Sequence, residues 1–173
     1  MPGTLLSTLI LGEVAGKNGA IHAYDRMVWT VRSGFLTLLF GGWGLLLKSL
    51  VELPSIGSTQ YGIVGAMLCL SIALAIGARA IDLNYVRRKF RVIDALNRLL
   101  QLLASHEISY FEESDAGKAA ILPYLKVAGD SESKSYEIAG YSGEKRVGQL
   151  IYTAPLVGIS IGMGLIVLLR SVL

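Results

Sequence analysis

Three long stretches of the chain contain no charged residue, and their lengths approach what a membrane-spanning helix needs. The second stretch, residues 53–78, is rich in Gly, Ala, Ile and Leu, and the third covers residues 147–169. The first, residues 33–47, is shorter and is flanked by Arg32 and Lys48, whose long side chains can reach headgroups from within a span. A transmembrane helix needs about 20 apolar residues. The pattern therefore predicts three transmembrane helices, at residues 28–50, 61–80 and 148–170.

The segments between these helices complete the predicted organisation. Residues 1–27 are expected to form an N-terminal amphipathic cytosolic segment, and residues 51–60 an external hairpin. Residues 81–147 form the predicted cytosolic domain, inserted between the second and third transmembrane helices. Within it, alternating side chains at residues 124–127 and 135–138 indicate two short strands. The predicted fold class is an all-α membrane protein with a small α(+β) cytosolic domain.

Composition and the placement of basic residues support a membrane protein and give it an orientation. Hydrophobic residues make up 53% of the chain and charged residues only 17%, with a mean hydropathy of +0.55. Fourteen of the sixteen Lys and Arg residues lie before residue 33 or between residues 79 and 146. Because such residues concentrate on the cytoplasmic side, we expect a multi-pass protein of the bacterial inner membrane with a cytoplasmic N-terminus.

A basic cluster lies on the helix that is predicted to continue, without Gly or Pro, over residues 81–105. Its members are the candidate ligand-binding residues Arg87, Arg88, Lys89, Arg91 and Arg98. Arginine can bind a phosphate through two parallel hydrogen bonds. One interpretation is contact with anionic lipid headgroups. The other is a site for a nucleotide or oligonucleotide, since a straight helix would put Arg98 roughly 25–30 Å from the end of the span.

Two further patterns bear on assembly. Apolar residues and one Asn recur at alternating spacings of three and four along the same helix, at Leu83, Val86, Phe90, Ile93, Asn97 and Leu100. Self-associating helices use such a repeat, and packing within one chain produces the same pattern. Small residues four apart in the spans, such as Gly158 and Gly162, let helices approach closely in lipid. Because three spans enclose little room for a pathway, we expect a homo-oligomer.

Chemistry-bearing residues are sparse outside the basic cluster. Acidic residues follow that helix at Glu107, Glu112, Glu113 and Asp115, and an ion pair between them and the arginines would compete with a ligand. The two histidines lie on different segments, and the chain has no nucleophile motif, Gly-rich phosphate loop or zinc-ligand spacing. We therefore expect a protein that is not an enzyme and needs no cofactor or metal.

The sequence runs that enter the first span and leave the second carry a resemblance. These runs are YDRMVWTVR at residues 24–32 and NYVRRKFRV at residues 84–92. Together with the three spans and the size of the chain, they resemble the small transmembrane effectors of bacterial anti-phage defence, and most closely the Hailong membrane effector. The resemblance implies a homotetrameric channel, controlled by a nucleic-acid-like product of a partner nucleotidyltransferase.

Two function classes remain open from the sequence. In the first, an oligomer forms a channel whose cytosolic domain binds a phosphate-rich ligand. In the second, the protein is a non-conducting membrane scaffold or accessory subunit that recruits a partner through residues 81–147. No span carries a strongly polar stripe, so a pore would be narrow or largely apolar and would close by dewetting.

Overall fold

Helices account for almost all of the structure, a computed structural model that describes residues 5–52, 57–125 and 135–172. Two long helices open the chain: α1 covers Leu5–Val51 and α2 covers Ser58–Ser105. The glycines at positions 12, 16 and 19 do not interrupt α1. The absence of Gly and Pro after residue 80 predicts that α2 continues to Ser105, and this prediction is confirmed.

Short elements follow α2 before a third long helix. Helix α3 covers Ile108–Glu113, α4 covers Asp115–Ile121, and one 3-10 turn covers Leu122–Tyr124. The Ser114 hydroxyl caps α4 by accepting a hydrogen bond from the Gly117 amide at 3.3 Å. Helix α5 then covers Tyr141–Val172 and contains Pro155.

The two predicted strands are wrong where the structure describes them. Residues 135–138 have no regular secondary structure, and Tyr124 ends the 3-10 turn. Residues 126 and 127 of the first predicted strand lie outside the described residues, as do residues 53–56 of the predicted hairpin. The alternation in each case covers only four residues, which is too few to separate a strand from a helix. No strand occurs among the residues that the structure describes.

The described residues divide into two compact units. The first, here called the polar unit, comprises residues 5–27, 84–125 and 135–143. The second, called the apolar unit, comprises residues 28–52, 57–83 and 144–172. Each of α1 and α2 contributes to both units.

The apolar unit is built from α1, α2 and α5 around one core. Phe35, Leu39 and Trp43 on α1 are each at most 2% exposed, and they form a cluster with Tyr152 and Met163 on α5. The Phe35 and Tyr152 rings meet edge to face with centroids 4.9 Å apart. Within this core the Trp43 Nε1 group donates a hydrogen bond to the Ser71 hydroxyl at 2.9 Å, which satisfies the indole away from water.

Large apolar side chains also cover the outside of the apolar unit. On each of the three helices, side chains at least half exposed point away from the core: Leu38, Leu45, Leu70, Ile76, Val157 and Ile161. All three long helices are long and apolar enough to cross a membrane. An apolar exterior around a packed core fits lipid as the surrounding solvent. The chain therefore has the features of a multi-pass membrane protein.

The polar unit has a second core. Ile10 on α1 and Leu99 on α2 pack with Phe111 on α3 and Ile121 on α4. Gly117 is required where α3 meets α4, because a Cβ there would lie 2.2 Å from the Tyr110 carbonyl oxygen. The predicted seam on α2 is divided: Val86 and Phe90 are buried, at 0% and 6% exposed, whereas Asn97 is exposed and Leu100 is 47% exposed. Packing within this chain therefore uses the first part of the seam and leaves its last residues exposed.

Candidate functional site

The five predicted ligand-binding residues all lie on α2 within the polar unit, but their surroundings differ. Arg87 and Arg88 are exposed and Arg91 is half-buried. Lys89 is buried and Arg98 is exposed. The predicted cluster thus divides into Arg87 and Arg91, which lie against one tyrosine, the exposed Arg88 next to them, and two residues that are engaged by carboxylates.

Arg87 and Arg91 share one aromatic ring. They are one helical turn apart, and their guanidinium carbons lie 5.7 and 5.6 Å from the centroid of the Tyr136 ring. Both distances fall in the range in which a cation is attracted by an aromatic ring. Tyr136 belongs to the segment that precedes α5, so this contact joins α2 to residues far along the chain. We call Arg87, Arg88, Arg91 and Tyr136 the arginine–tyrosine cluster.

Two successive edge-to-face ring contacts connect Tyr136 to α2. The Tyr136 and Tyr141 rings meet edge to face at 5.1 Å, and Tyr141 meets Phe90 on α2 in the same manner at 5.5 Å. Gly140, with φ of +92°, turns the chain into α5 beside the Phe90 ring. A positive φ is a conformation that glycine adopts at little cost. The ring positions are therefore set by packing and by this turn.

The charge of Arg87 is reinforced by its neighbours. A hydrogen bond to the Tyr141 side chain raises the pKa of the Arg87 guanidinium, partial burial opposes this effect, and nearby Tyr136 and Glu137 add to it. Arg87 therefore stays charged at any physiological pH.

Two observations indicate that the arginines of the cluster retain capacity for an anion. Among the described residues, Arg87, Arg88 and Arg91 form no ion pair. The Arg91 Nε atom is buried and has no hydrogen-bond partner in the described part of the chain. A buried donor without an acceptor carries a free-energy cost, which a phosphate oxygen would remove.

The other two predicted residues are held by carboxylates of the same unit. Lys89 Nζ lies 2.9 Å from Asp25 Oδ1 on α1, and the Lys89 side chain is only 8% exposed. Arg98 Nε lies 3.0 Å from Asp94 Oδ2, one turn earlier on α2. The Arg98 side chain is 54% exposed, and such surface pairs hold a side chain weakly. Lys89 thus has a structural partner, whereas Arg98 can exchange Asp94 for another anion.

The predicted acidic cluster does not pair with these arginines within the described residues. Asp115 is 3.8 Å from Lys118 on its own helix, α4. Glu112 has one buried carboxylate oxygen without a hydrogen-bond partner in the described part of the chain. Competition between this acidic cluster and a ligand for the arginine–tyrosine cluster therefore receives no support.

The apolar unit contains a buried charge cluster that the sequence did not predict. Arg32 was expected to extend toward headgroups, but its side chain is 3% exposed and binds Asp82 and Glu144. Asp82 follows the uncharged stretch of the second span by only a few residues. A carboxylate so close to a span was the available sign of a buried partner for Arg32.

Comparison with known proteins adds no relative to this description. No protein-family model matches the chain, and neither a curated protein nor a solved structure matches it. The resemblance to the Hailong membrane effector thus rests on the sequence runs and the three spans, and it stays a prediction.

Proposed function

We propose that this chain is the protomer of an oligomeric membrane channel whose polar unit binds a phosphate-rich ligand, a nucleotide or oligonucleotide, at the arginine–tyrosine cluster. The polar unit and the N-terminus face the cytoplasm of a bacterium in this proposal. The resemblance to Hailong effectors adds the biological setting, which is anti-phage defence with a nucleotidyltransferase as the source of the ligand.

The observation that carries the proposal is the placement of Arg87 and Arg91 over one tyrosine ring, with no ion pair to a carboxylate among residues 5–52, 57–125 and 135–172. Two guanidiniums one helical turn apart can donate several hydrogen bonds to the oxygens of one phosphate group. Tyr136 adds an aromatic surface, on which bases stack in many proteins that bind single-stranded nucleic acid. Phosphate chemistry combined with an aromatic ring favours a nucleotide over an inorganic anion.

The channel part of the proposal follows from the apolar unit. The described parts of the three spans pack around a shared core that includes Phe35, Leu39 and Trp43, so apolar side chains fill the space between them. A pathway would lie between protomers, as the predicted homo-oligomer provides, and the resemblance suggests four. Because the outer surfaces of the spans are apolar, such a pathway would close by dewetting.

Binding is tested with the detergent-purified full chain and three probes: ATP, a short single-stranded DNA and a short single-stranded RNA of mixed sequence. We expect Arg87→Gln and Arg91→Gln each to weaken binding of the best probe about tenfold to a hundredfold. One hydrogen-bonded charge contact contributes about 1.5–3 kcal/mol, and 1.4 kcal/mol is a factor of ten. Tyr136→Phe should bind like the wild type, whereas Tyr136→Ala should not.

The matched control is Lys118→Gln, which removes an exposed basic residue of the same unit that lies outside the cluster. Arg98→Glu tests whether the ligand is long enough to reach Arg98, which lies about 16 Å along the helix from Arg87. An oligonucleotide should lose affinity in Arg98→Glu, whereas a mononucleotide bound at Arg87 and Arg91 should not. Equal binding by the wild type and the cluster variants would refute the site.

Two further measurements separate the remaining interpretations. If the arginines serve lipid headgroups, the Arg87 and Arg91 variants will lose binding to vesicles that contain anionic lipid and keep their binding to the probes. Conduction is measured as ion flux from liposomes that contain the protein, with and without the best probe. Probe binding without any flux would identify the scaffold alternative.

A further inference from the structure

A buried charge cluster connects all three helices of the apolar unit. Arg32 on α1 contacts Asp82 on α2 twice, with Nε to Oδ1 at 3.0 Å and Nη2 to Oδ2 at 3.3 Å. The remaining Nη1 group donates to Glu144 Oε1 on α5 at 3.2 Å. The guanidinium also lies 5.9 Å from the Trp29 ring centroid on its own helix. One side chain therefore determines how three helices meet.

The close approach of α5 to this cluster depends on a glycine. A Cβ at Gly148 would lie 2.7 Å from Asp82 Oδ2 and 3.2 Å from Arg32 Nη2. One turn further along α5, the buried Tyr152 hydroxyl lies close to the same Arg32–Asp82 pair. The arrangement therefore brings the first turns of α5 against a buried ion pair.

Stability alone is a poor explanation of this cluster. Burying an ion pair costs desolvation free energy, and apolar side chains of similar volume often serve a fold as well or better. Ionisable residues within membrane helices are costly and generally mark functional positions. A buried pair is instead suited to holding one of two arrangements of the same helices.

The two contacts of Arg32 differ in how easily they can be released. Asp82 is bound through two contacts and its side chain is 2% exposed, so an unpaired Asp82 would leave a buried charge. Arg32 binds Glu144 through one contact, and the Glu144 side chain is 24% exposed. Glu144 lies in the first turn of α5, where the helix dipole stabilises a carboxylate that Arg32 has released. Release of Glu144 is therefore the step of lower cost.

We propose that Arg32, Asp82 and Glu144 form a clasp that holds α5 against α1 and α2 in the non-conducting arrangement, and that the channel opens when Arg32 releases Glu144 while keeping Asp82. This inference rests on the proposed channel function and adds to it the contact that controls opening. The ligand of the polar unit would act by changing how often this contact is made.

The test is ion flux from liposomes that contain full-length variants, measured first without any added probe. Glu144→Gln weakens the releasable contact and leaves both Arg32–Asp82 contacts in place, so we expect basal flux to rise about tenfold, the effect of losing one charge-assisted hydrogen bond. Glu113→Gln, which removes an exposed carboxylate on α3, is the matched control and should conduct like the wild type. Native mass spectrometry of each variant verifies that assembly is intact.

A second variant keeps the test valid if charge changes disturb folding. Arg32→Met combined with Asp82→Leu replaces the buried pair with apolar side chains that the core should accept. We expect this double variant to assemble normally, to show raised basal flux and to lose any response of flux to ATP or oligonucleotide probes.

The outcomes distinguish this inference from the proposed function. If the wild type responds to a probe but Glu144→Gln and the double variant both behave like the wild type, the clasp is wrong and the channel stands. If Glu144→Gln conducts in a protein that ignores every probe, the clasp stands and the phosphate site is wrong. Absence of flux in the wild type and in all variants overturns both.

Discussion

Gly148→Ala tests the geometry of the apolar unit most directly, because the position allows no side chain. An added Cβ would lie 2.7 Å from Asp82 Oδ2, about 0.7 Å closer than the 3.4 Å at which ordinary contact begins. The Asp82 carboxylate cannot move away freely, since both of its oxygens bind Arg32 at 3.0 and 3.3 Å. Either α5 shifts outward or the ion pair loses part of its geometry.

The expected cost can be built from three contributions. Overpacking a tight site costs about 1–3 kcal/mol, and weakening a hydrogen bond to a charged group costs up to about 1.5–3 kcal/mol. Replacing Gly with Ala inside a helix stabilises the helix by about 1 kcal/mol, which opposes these costs. If the hydrogen bond is lost, these contributions give a net destabilisation of about 1.5–5 kcal/mol. For a chain of 173 residues this lowers the melting temperature by about 3–20 °C.

The assay is thermal unfolding of the detergent-solubilised protein at a fixed heating rate, with Gly143→Ala as the control. Gly143 lies on the same helix, and an added Cβ there would have nothing within 4 Å, so its melting temperature should stay the same or rise slightly. Gly148→Val should be less stable than Gly148→Ala because its side chain is larger. If Gly148→Ala melts with or above the wild type, Asp82 does not occupy the position described.

Three further predictions concern the core, the topology and the assembly. Ser71→Ala should destabilise the protein by about 1–3 kcal/mol, because it leaves the buried Trp43 Nε1 donor unpaired. In Trp43→Phe the same serine change should cost clearly less, and equal costs in a double-mutant cycle would contradict the hydrogen bond. Reporter fusions after residue 140 should report the cytoplasm and fusions after residue 173 the outside, whereas a cytoplasmic C-terminus would remove the third span. Native mass spectrometry in detergent should show a homo-oligomer, with four copies expected from the resemblance, and a monomer at micromolar concentration would refute the channel.

The long helices were predictable because their signals are local and long. A span is marked by the length of an uncharged stretch, as at residues 53–78, and helix continuation by the absence of Gly and Pro up to Ser105. The strands predicted at residues 124–127 and 135–138 were wrong where the structure describes them, because four alternating residues fit several conformations. Length of the pattern, more than its composition, determined which predictions the structure supports.

The sequence did not reveal which side chains contact the arginines in the folded chain. Arg32 and Arg88 look alike in sequence, since each lies near an end of a predicted span, yet Arg32 is buried and Arg88 is exposed. The difference lies in Asp82, which is 50 residues from Arg32 along the chain and approaches it only through tertiary packing. Tyr136 similarly comes to Arg87 and Arg91 from a distant segment. Both clusters depend on contacts that no local pattern encodes.

The two clusters differ in how many carboxylates are paired with their guanidiniums, and this difference predicts where an anion binds. In the apolar unit one guanidinium is shared by two carboxylates, so an incoming anion would have to displace a carboxylate and leave it unpaired. In the arginine–tyrosine cluster the described carboxylates form no ion pair with three guanidiniums, so an anion gains contacts there without displacing one. A phosphate-rich ligand should therefore bind at Arg87 and Arg91 and not at Arg32. Neutralising Glu144 should consequently change flux. Because the ligand and the Arg32–Glu144 contact are coupled in this proposal, it should also change probe affinity, although Glu144 does not itself contact the probe.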